Sequence, residues 1–432
     1  MNNKFKLIFV ILFVFVLVFL GFLVFSKNNK SPNSANDLIE KTEGQIKEKF
    51  SIHSQCPQNL SGILTYPLME PKYISALTPL GNINPPGHTS PVDHIYFATN
   101  YNDKIPLYAP ADSIITNITT ISQDDGTGNY VTKGYVIQYT ICDGLVLDFA
   151  SYTDITQTIK DEIVKQGDKD CKYGIKKPGH EGGAEGQCYF RVYIPVKSGD
   201  VIGWVQREKR VDGNGYSLPF EIWAANYNQD PPKQTNWEYY NDDRYAHIIC
   251  PFDLYAGELK NQFYAKFGMW DDAAFDKDGK KTVTTDGSGY FIARNREPLC
   301  GQVDQDVVGT IQGMWFAEKP REGEAVEFEG KGLAFLHNNI DTTQGEISVG
   351  GDLIGGQAGV IFFQPKNNGI LNREPSEVKA DGTIYCYDAS GRWGSEMKFL
   401  VQLIDDYHLK AEIQTGLCKT QEAFLKPFFY ER

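Results

Sequence analysis

Apolar and polar residues alternate along most of this chain in short runs bounded by Gly, Pro, Asn and Asp, the period-two pattern of half-buried β-strands. Gly134 to Ile141 alternates in this way, Asp143-Gly144 is a hairpin turn signal, and Leu145 to Ala150 returns. Ile105 to Thr116 reads as a strand, a turn at Pro110 to Ser113, and a second strand; Val196 to Trp204 reads as a turn, then a strand. Pro219 to Trp223 predicts another strand, and Lys165 to Gln187, rich in Lys, Asp and Gly, predicts a surface loop. After Arg244 the character changes. Cys250 to Tyr264 predicts a connector with a short helix, followed by alternating runs at Thr310–Phe316, Glu346–Val349, Gly359–Phe363, Gly382–Tyr387, Lys398–Ile404 and Leu409–Gln414. About eight such runs suit a sandwich or small barrel. The fold class is therefore mainly β.

The amino-terminal segment departs from this pattern. Leu7 to Phe25 carries no charge and is nearly all Leu, Ile, Val and Phe, long enough to span a bilayer as a helix. Lys4 and Lys6 precede it, which orients the N-terminus to the cytoplasm and the body outside. The expected organisation is a cytoplasmic tip and transmembrane anchor over 1–26 and a linker over 27–50. A β domain follows over 51–249, with an insertion at 165–190, and a second all-β domain over 250–432.

The net charge of −13 excludes nucleic acid as the partner, since phosphates require a basic surface. The eight cysteines include no C-x-x-C pair, so zinc ribbons and redox motifs are unsupported. An even count in an exported chain reads as disulfides, and Cys171 with Cys188, flanking the insertion, is the first expected pair.

The chemistry concentrates in Pro86 to Phe97, which holds His88, Asp93 and His94 between a Pro-Gly turn and an apolar strand. Three good first-row metal ligands so close together suggest a metal site; turn capping by the same residues is the plainer reading. The order of the elements that follow resembles the lysostaphin-type, or LytM-like, zinc endopeptidases that cut peptidoglycan cross-links. The resemblance covers about residues 80–226. It rests on Ile105 to Thr116, Tyr135 to Asp154, Val196 to Val205 and Ser217 to Trp223.

That resemblance implies a β-sheet groove with a zinc held by a His/Asp motif and a closing-strand histidine. Here the register departs from the family pattern. His88 and Asp93 are five apart, Ser217 and Pro219 stand where the closing histidines belong, and Ser151 replaces a further catalytic histidine. Serine and proline cannot replace imidazole as ligands. The resemblance therefore implies a groove lined by His88, Asp93, His94, Ser151, Ser217 and Glu221, without a catalytic residue among them.

The favoured expectation is a membrane-anchored, non-catalytic protein without a cofactor, binding a cell-wall peptide or glycan or an envelope protein. Residues 7–25 would contact the membrane. Two other expectations compete with it. One is an active metallopeptidase whose zinc is rebuilt on His88, Asp93 and His94 with His180 or Glu221. The other is a structural or ligand-binding β protein whose strand pattern is convergent.

Overall fold

The Asp143-Gly144 turn forms as the alternation predicts, with Gly144 at a φ of 75° that a side chain would strain. It joins two neighbouring strands, Tyr130–Cys142 and Leu145–Tyr152, of a large antiparallel sheet. The computed structural model describes residues 55–432 apart from 86, 100–103, 167–168, 176–184, 207, 210–215, 218–219, 234, 236, 241, 272–289, 318–329, 353, 355–357 and 390–395. The expected transmembrane segment, linker and His180 lie outside the described residues. Among the described residues no helix is long and apolar enough to cross a membrane.

In chain order the first strands are β1 (Ala76–Thr78), β2 (Ile95–Ala98), β3 (Ile105–Tyr108), β4 (Ser113–Asp124), β5 (Tyr130–Cys142), β6 (Leu145–Tyr152) and β7 (Asp154–Ile155). Then come helix α1 (Gln157–Gln166), β8 (Lys169–Ile175), β9 (Glu185–Val196), β10 (Val201–Val205), β11 (Glu208–Lys209), β12 (Tyr216–Ser217), β13 (Glu221–Asn226) and β14 (Ile248–Ile249). The large sheet runs β1-β2-β13-β6-β5-β4-β9-β8, with β14 also on β13, and a small sheet runs β3-β10-β7. One face of the large sheet supplies Ile95, Ile222, Phe149 and Ile137 to an apolar core, to which the small sheet adds Ile105, Leu107, Ile155, Ile202 and Val205. That core continues past residue 250, through Phe252, Leu254, Tyr255, Phe263 and Phe267 to Cys300. Helix α2 (Gly257–Tyr264) delivers Phe263, in the stretch where a short helix was expected.

The surface loop expected over 165–187 is corrected. The end of α1, β8 and the start of β9 occupy its described part, and Cys171 pairs with Cys188 across β8 and β9 as a disulfide. The charged composition that suggested a loop suits an exposed edge strand, where lysines discourage further pairing. Three further disulfides, Cys56–Cys142, Cys250–Cys300 and Cys386–Cys418, complete a set of four. Four disulfides in one chain suggest an extracytoplasmic body.

Two strands, β15 (Gly268–Asp271) and β16 (Tyr290–Ala293), form a separate ribbon. The remaining strands are β17 (Gly313–Phe316), β18 (Gly332–His337), β19 (Gly345–Val349), β20 (Gly359–Phe363), β21 (Tyr385–Asp388), β22 (Met397–Asp405), β23 (His408–Thr415) and β24 (Phe428–Glu431). They pair in the order β20-β19-β18-β17-β24-β23-β22-β21, a nearly closed antiparallel barrel. Its interior is filled by Trp315, Phe335, Phe363, Tyr387, Phe399 and their aliphatic neighbours. The outer face of β17 and β18 is buried as well. Met314, Phe316, Ala334 and Leu336 pack against Tyr239 and Tyr240, with the Tyr239 and Phe316 rings stacked at 4.7 Å.

Candidate functional site

The stretch from Gly87 to His94 belongs to a hairpin-like loop that leads into β2. Gly81 N–H donates to Val92 O (2.8 Å), Val92 N–H to Asn82 O (2.9 Å), and Asn84 and His88 exchange backbone bonds. Beyond it, β2 carries Tyr96 opposite Glu221 of β13, and Glu221 stands opposite Ala150 of β6. Trp223 stands opposite Asp148, and Asp148 opposite Gln138 of β5. Directly paired residues share a face. The result is a polar stripe crossing four strands on the side away from the core.

At one end of the stripe the side chains are held in sequence. Asp93, 3% exposed, accepts a hydrogen bond from His94 Nδ1 at 2.8 Å, and its other oxygen lies 2.8 Å from Arg244 Nη2. Arg244 also reaches Asp242 at 3.1 Å and lies over the Trp223 ring at 4.8 Å. The His94 ring packs edge-on to Tyr96 at 4.6 Å and to His88 at 5.5 Å. Its Nε2 atom is buried without a hydrogen-bond partner, and Glu221 Oε2 stands 3.7 Å away, beyond direct bonding.

The electrostatics follow from burial and these contacts. Burial alone would raise the Asp93 pKa, but the His94 bond and Arg244 hold it below the usual carboxylate range. Burial would weaken the Arg244 charge, but Asp93 and Asp242 keep its pKa raised. Burial, reinforced by His94, pulls His88 down to about 4, so its ring is neutral at physiological pH. Asp148, 5% exposed, is pushed by burial up to about 7, against the pull of Gln138, whose Nε2 donates to it at 3.1 Å.

These contacts decide how a metal would fare. Both Asp93 oxygens are engaged, one by an imidazole and one by a permanent cation. Among the described residues no three His, Cys, Asp or Glu side chains are grouped to hold a metal ion. As arranged, His88, Asp93 and His94 do not fit a zinc centre, because a divalent cation at Asp93 would have to displace Arg244. What remains at the site is His94 Nε2 beside Glu221. In the neutral tautomer whose Nδ1–H goes to Asp93, Nε2 carries a lone pair, and the two groups form a pair of acceptors. A hydroxyl or N–H donor placed between them would satisfy both.

Of the other expected groove residues, Ser151 lies on β6 one position beyond Ala150, the last residue of β6 paired with β13, and adopts a φ of 71°. There Ala150 and Ser151 together oppose Val136, a β-bulge that turns the strand end. Ser217 is paired with Glu208 across β11 and β12, and Pro219 lies outside the described residues. Sequence reasoning overlooked Arg244, Asp148 and Gln138. Asp148 had a visible signal, a lone acid in the apolar run from Leu145 to Ala150. Arg244 had none, since it reaches Asp93 from a distant 3-10 turn, Asp243–His247.

Comparisons with family models, with curated proteins and with solved structures return no match to this chain.

Proposed function

We propose that this is a membrane-anchored, extracytoplasmic binding protein whose LytM-like sheet has lost its hydrolytic centre. In this reading the polar stripe holds a cell-wall peptide or glycan, or an envelope partner, through donors placed at His94 and Glu221. The observation that carries the reading is Arg244 against Asp93. In a hydrolytic centre of the resembled kind, that carboxylate would face a metal with an open water position. Here it faces a guanidinium, which neutralises it and cannot activate water. The unpartnered His94 Nε2 supports a ligand rather than a purely structural role, because buried polar atoms are ordinarily satisfied.

The test uses the full-length chain purified in detergent. Elemental analysis is expected to find zinc well below one ion per chain, and a cross-linked peptidoglycan peptide is expected to stay intact. Co-sedimentation with purified cell-wall sacculi is expected, weakened about tenfold by Glu221→Ala, which removes one charged acceptor. Stoichiometric zinc that disappears in a His88→Ala/Asp93→Ala double variant, or cleavage of the cross-link, would restore the metallopeptidase reading.

A further inference from the structure

The connection between β23 and β24 turns its charges inward and its apolar side chains outward. Residues 416–427 cross the outer face of the barrel, fixed to β21 by the Cys386–Cys418 disulfide. Beneath them lies Leu400, paired with Cys386 on one side and Glu412 on the other. It is fully buried on this outer face, while Phe399 and Val401 beside it fill the barrel interior. Glu422, its side chain 3% exposed, pairs with the buried Lys398 and accepts the Lys419 N–H at 2.6 Å. The buried Glu412 carboxylate accepts the Leu425 N–H at 2.8 Å and the Lys426 N–H at 3.0 Å.

The outward side has the opposite chemistry. Leu425 is 83% exposed and Leu417 and Phe429 are each 61% exposed. Lys419 and Lys426 are exposed beside them, and Lys410 Nζ lies 5.9 Å from the Phe429 ring. Over residues 409–430 the only charged side chains are these lysines and the two engaged glutamates. The surface left to solvent is therefore cationic and apolar, on a chain whose net charge is −13. A connection that served folding alone would place leucine inward and charge in water.

We propose that this surface docks on an anionic lipid bilayer, with Leu417, Leu425 and Phe429 entering the headgroup region and the lysines meeting lipid phosphates. Charge complementarity favours that occupant over a second copy, because an isologous contact would set these lysines against one another. Shape favours it over a folded partner: Leu425 protrudes, and a fluid interface accepts a protruding side chain without a matching pocket. The acids elsewhere on the chain do not cancel the attraction, since charges beyond about 8 Å are largely screened at physiological salt. So small a surface binds weakly by itself; the anchor of the proposed function holds the body at high local concentration near the bilayer. That tethering rests on the proposed function, whereas the docking surface does not.

The test carries the full-length chain in phosphatidylcholine nanodiscs, which occupy residues 7–25. It is floated with vesicles of phosphatidylcholine alone or with about 30% phosphatidylglycerol. Partition is expected to rise about tenfold with the anionic lipid and to fall back in about 0.5 M salt. Combined Lys410→Glu, Lys419→Glu and Lys426→Glu should abolish the rise, and Leu425→Asp should reduce it at least ~5-fold. Unchanged denaturation midpoints show that both variants fold. If the chain stays soluble without nanodiscs, the anchor is wrong, and the same flotation of the free protein still tests the surface. Equal partition onto both vesicles, or a rise that survives the lysine reversal, would overturn the proposal. So would dimerisation in sedimentation that Leu425→Asp removes, which assigns the surface to a second copy. A rise that appears only when the glutamate-rich stretch 318–329 is replaced by a Gly/Ser linker also overturns it, assigning the surface to the chain's own segment.

Discussion

The stripe on the large sheet and the interior of the barrel are both faces of antiparallel sheets, yet they are built from opposite materials. Inside the barrel, Trp315 gives its indole N–H to Ile311 O at 2.8 Å and Tyr387 gives its hydroxyl to Arg373 O at 2.8 Å, so even these polar tips end on backbone. The surrounding side chains are apolar and close-packed. On the large sheet, the face opposite the core buries an ionised aspartate, a histidine and a second carboxylic acid, with a half-buried arginine brought against the first by the fold. Such groups cost stability wherever their partners are incomplete. A face that only needed to fold would use what the barrel uses. The difference is the one expected if the barrel interior serves stability and the stripe serves the proposed recognition.

The strongest way to break this comparison is through the barrel. Trp315→Ala should cost about 4 kcal/mol, since it empties a fully buried site and removes the ring over which Arg432 lies at 4.2 Å. Chemical denaturation would show it as a lowered midpoint, with binding at the stripe unchanged below the transition. A loss of stripe binding in the folded variant would mean that the barrel participates in recognition.

Next in size is Arg244→Met, expected to destabilise by about 3 kcal/mol because it strands the Asp93 carboxylate in a buried site. Replacing both partners, Arg244→Met with Asp93→Leu, should recover much of that loss, and a double-mutant cycle measures the coupling. The same single variant tests whether Arg244 keeps a metal away from Asp93. With the guanidinium gone, weak zinc binding dependent on Asp93 and His94 should be detectable by calorimetry. If zinc binds the native chain equally well, the guanidinium is not what excludes it.

How much of this was legible from residues alone differed between the two regions for physical reasons. Strands β19, β20, β22 and β23 coincide closely with alternating runs, because one side meets the barrel interior and the other meets solvent or a polar layer. Strand β18 escaped notice. Gly332 to His337 does not alternate, because Leu333 and Phe335 fill the barrel while Ala334 and Leu336 fill the joint with Tyr239 and Tyr240. The stripe was legible in part. His88, Asp93, His94 and Glu221 are recognisable as chemistry-bearing residues near strand starts, and the strand register brings His94 beside Glu221. The residue that changes their meaning, Arg244, sits about 150 positions beyond Asp93. No local pattern announces a long-range ion pair, so an expectation built on motif spacing weighed a metal where the fold supplies an arginine.

The smallest predicted effect, and the most discriminating, concerns acids that both regions share. Asp148 on the stripe and Glu346 on the outer face of the barrel are each pushed by burial up to about 7. A carboxyl whose folded pKa is raised stabilises the fold fully below its unfolded value, near 4. It loses that contribution as pH rises through the folded value, because the unfolded chain then ionises more readily. Both Asp148→Asn and Glu346→Gln should therefore gain about 1–3 kcal/mol at pH 8 relative to the parent, the gain vanishing below about pH 4. The amide oxygens can still accept from Gln138 and Asn338, the latter now 2.5 Å from Glu346 Oε1. Stability alone does not tell the two positions apart; ligand binding does. Asp148 lies on the stripe, beside Trp223 and under the influence of Arg244, so its charge state bears on the proposed binding surface. Cell-wall binding by the parent should change between pH 6 and pH 8 and become flat in Asp148→Asn, while Glu346→Gln keeps the parent's profile. If the Glu346 variant flattens the profile instead, the division between a recognising face and a folding face is drawn in the wrong place.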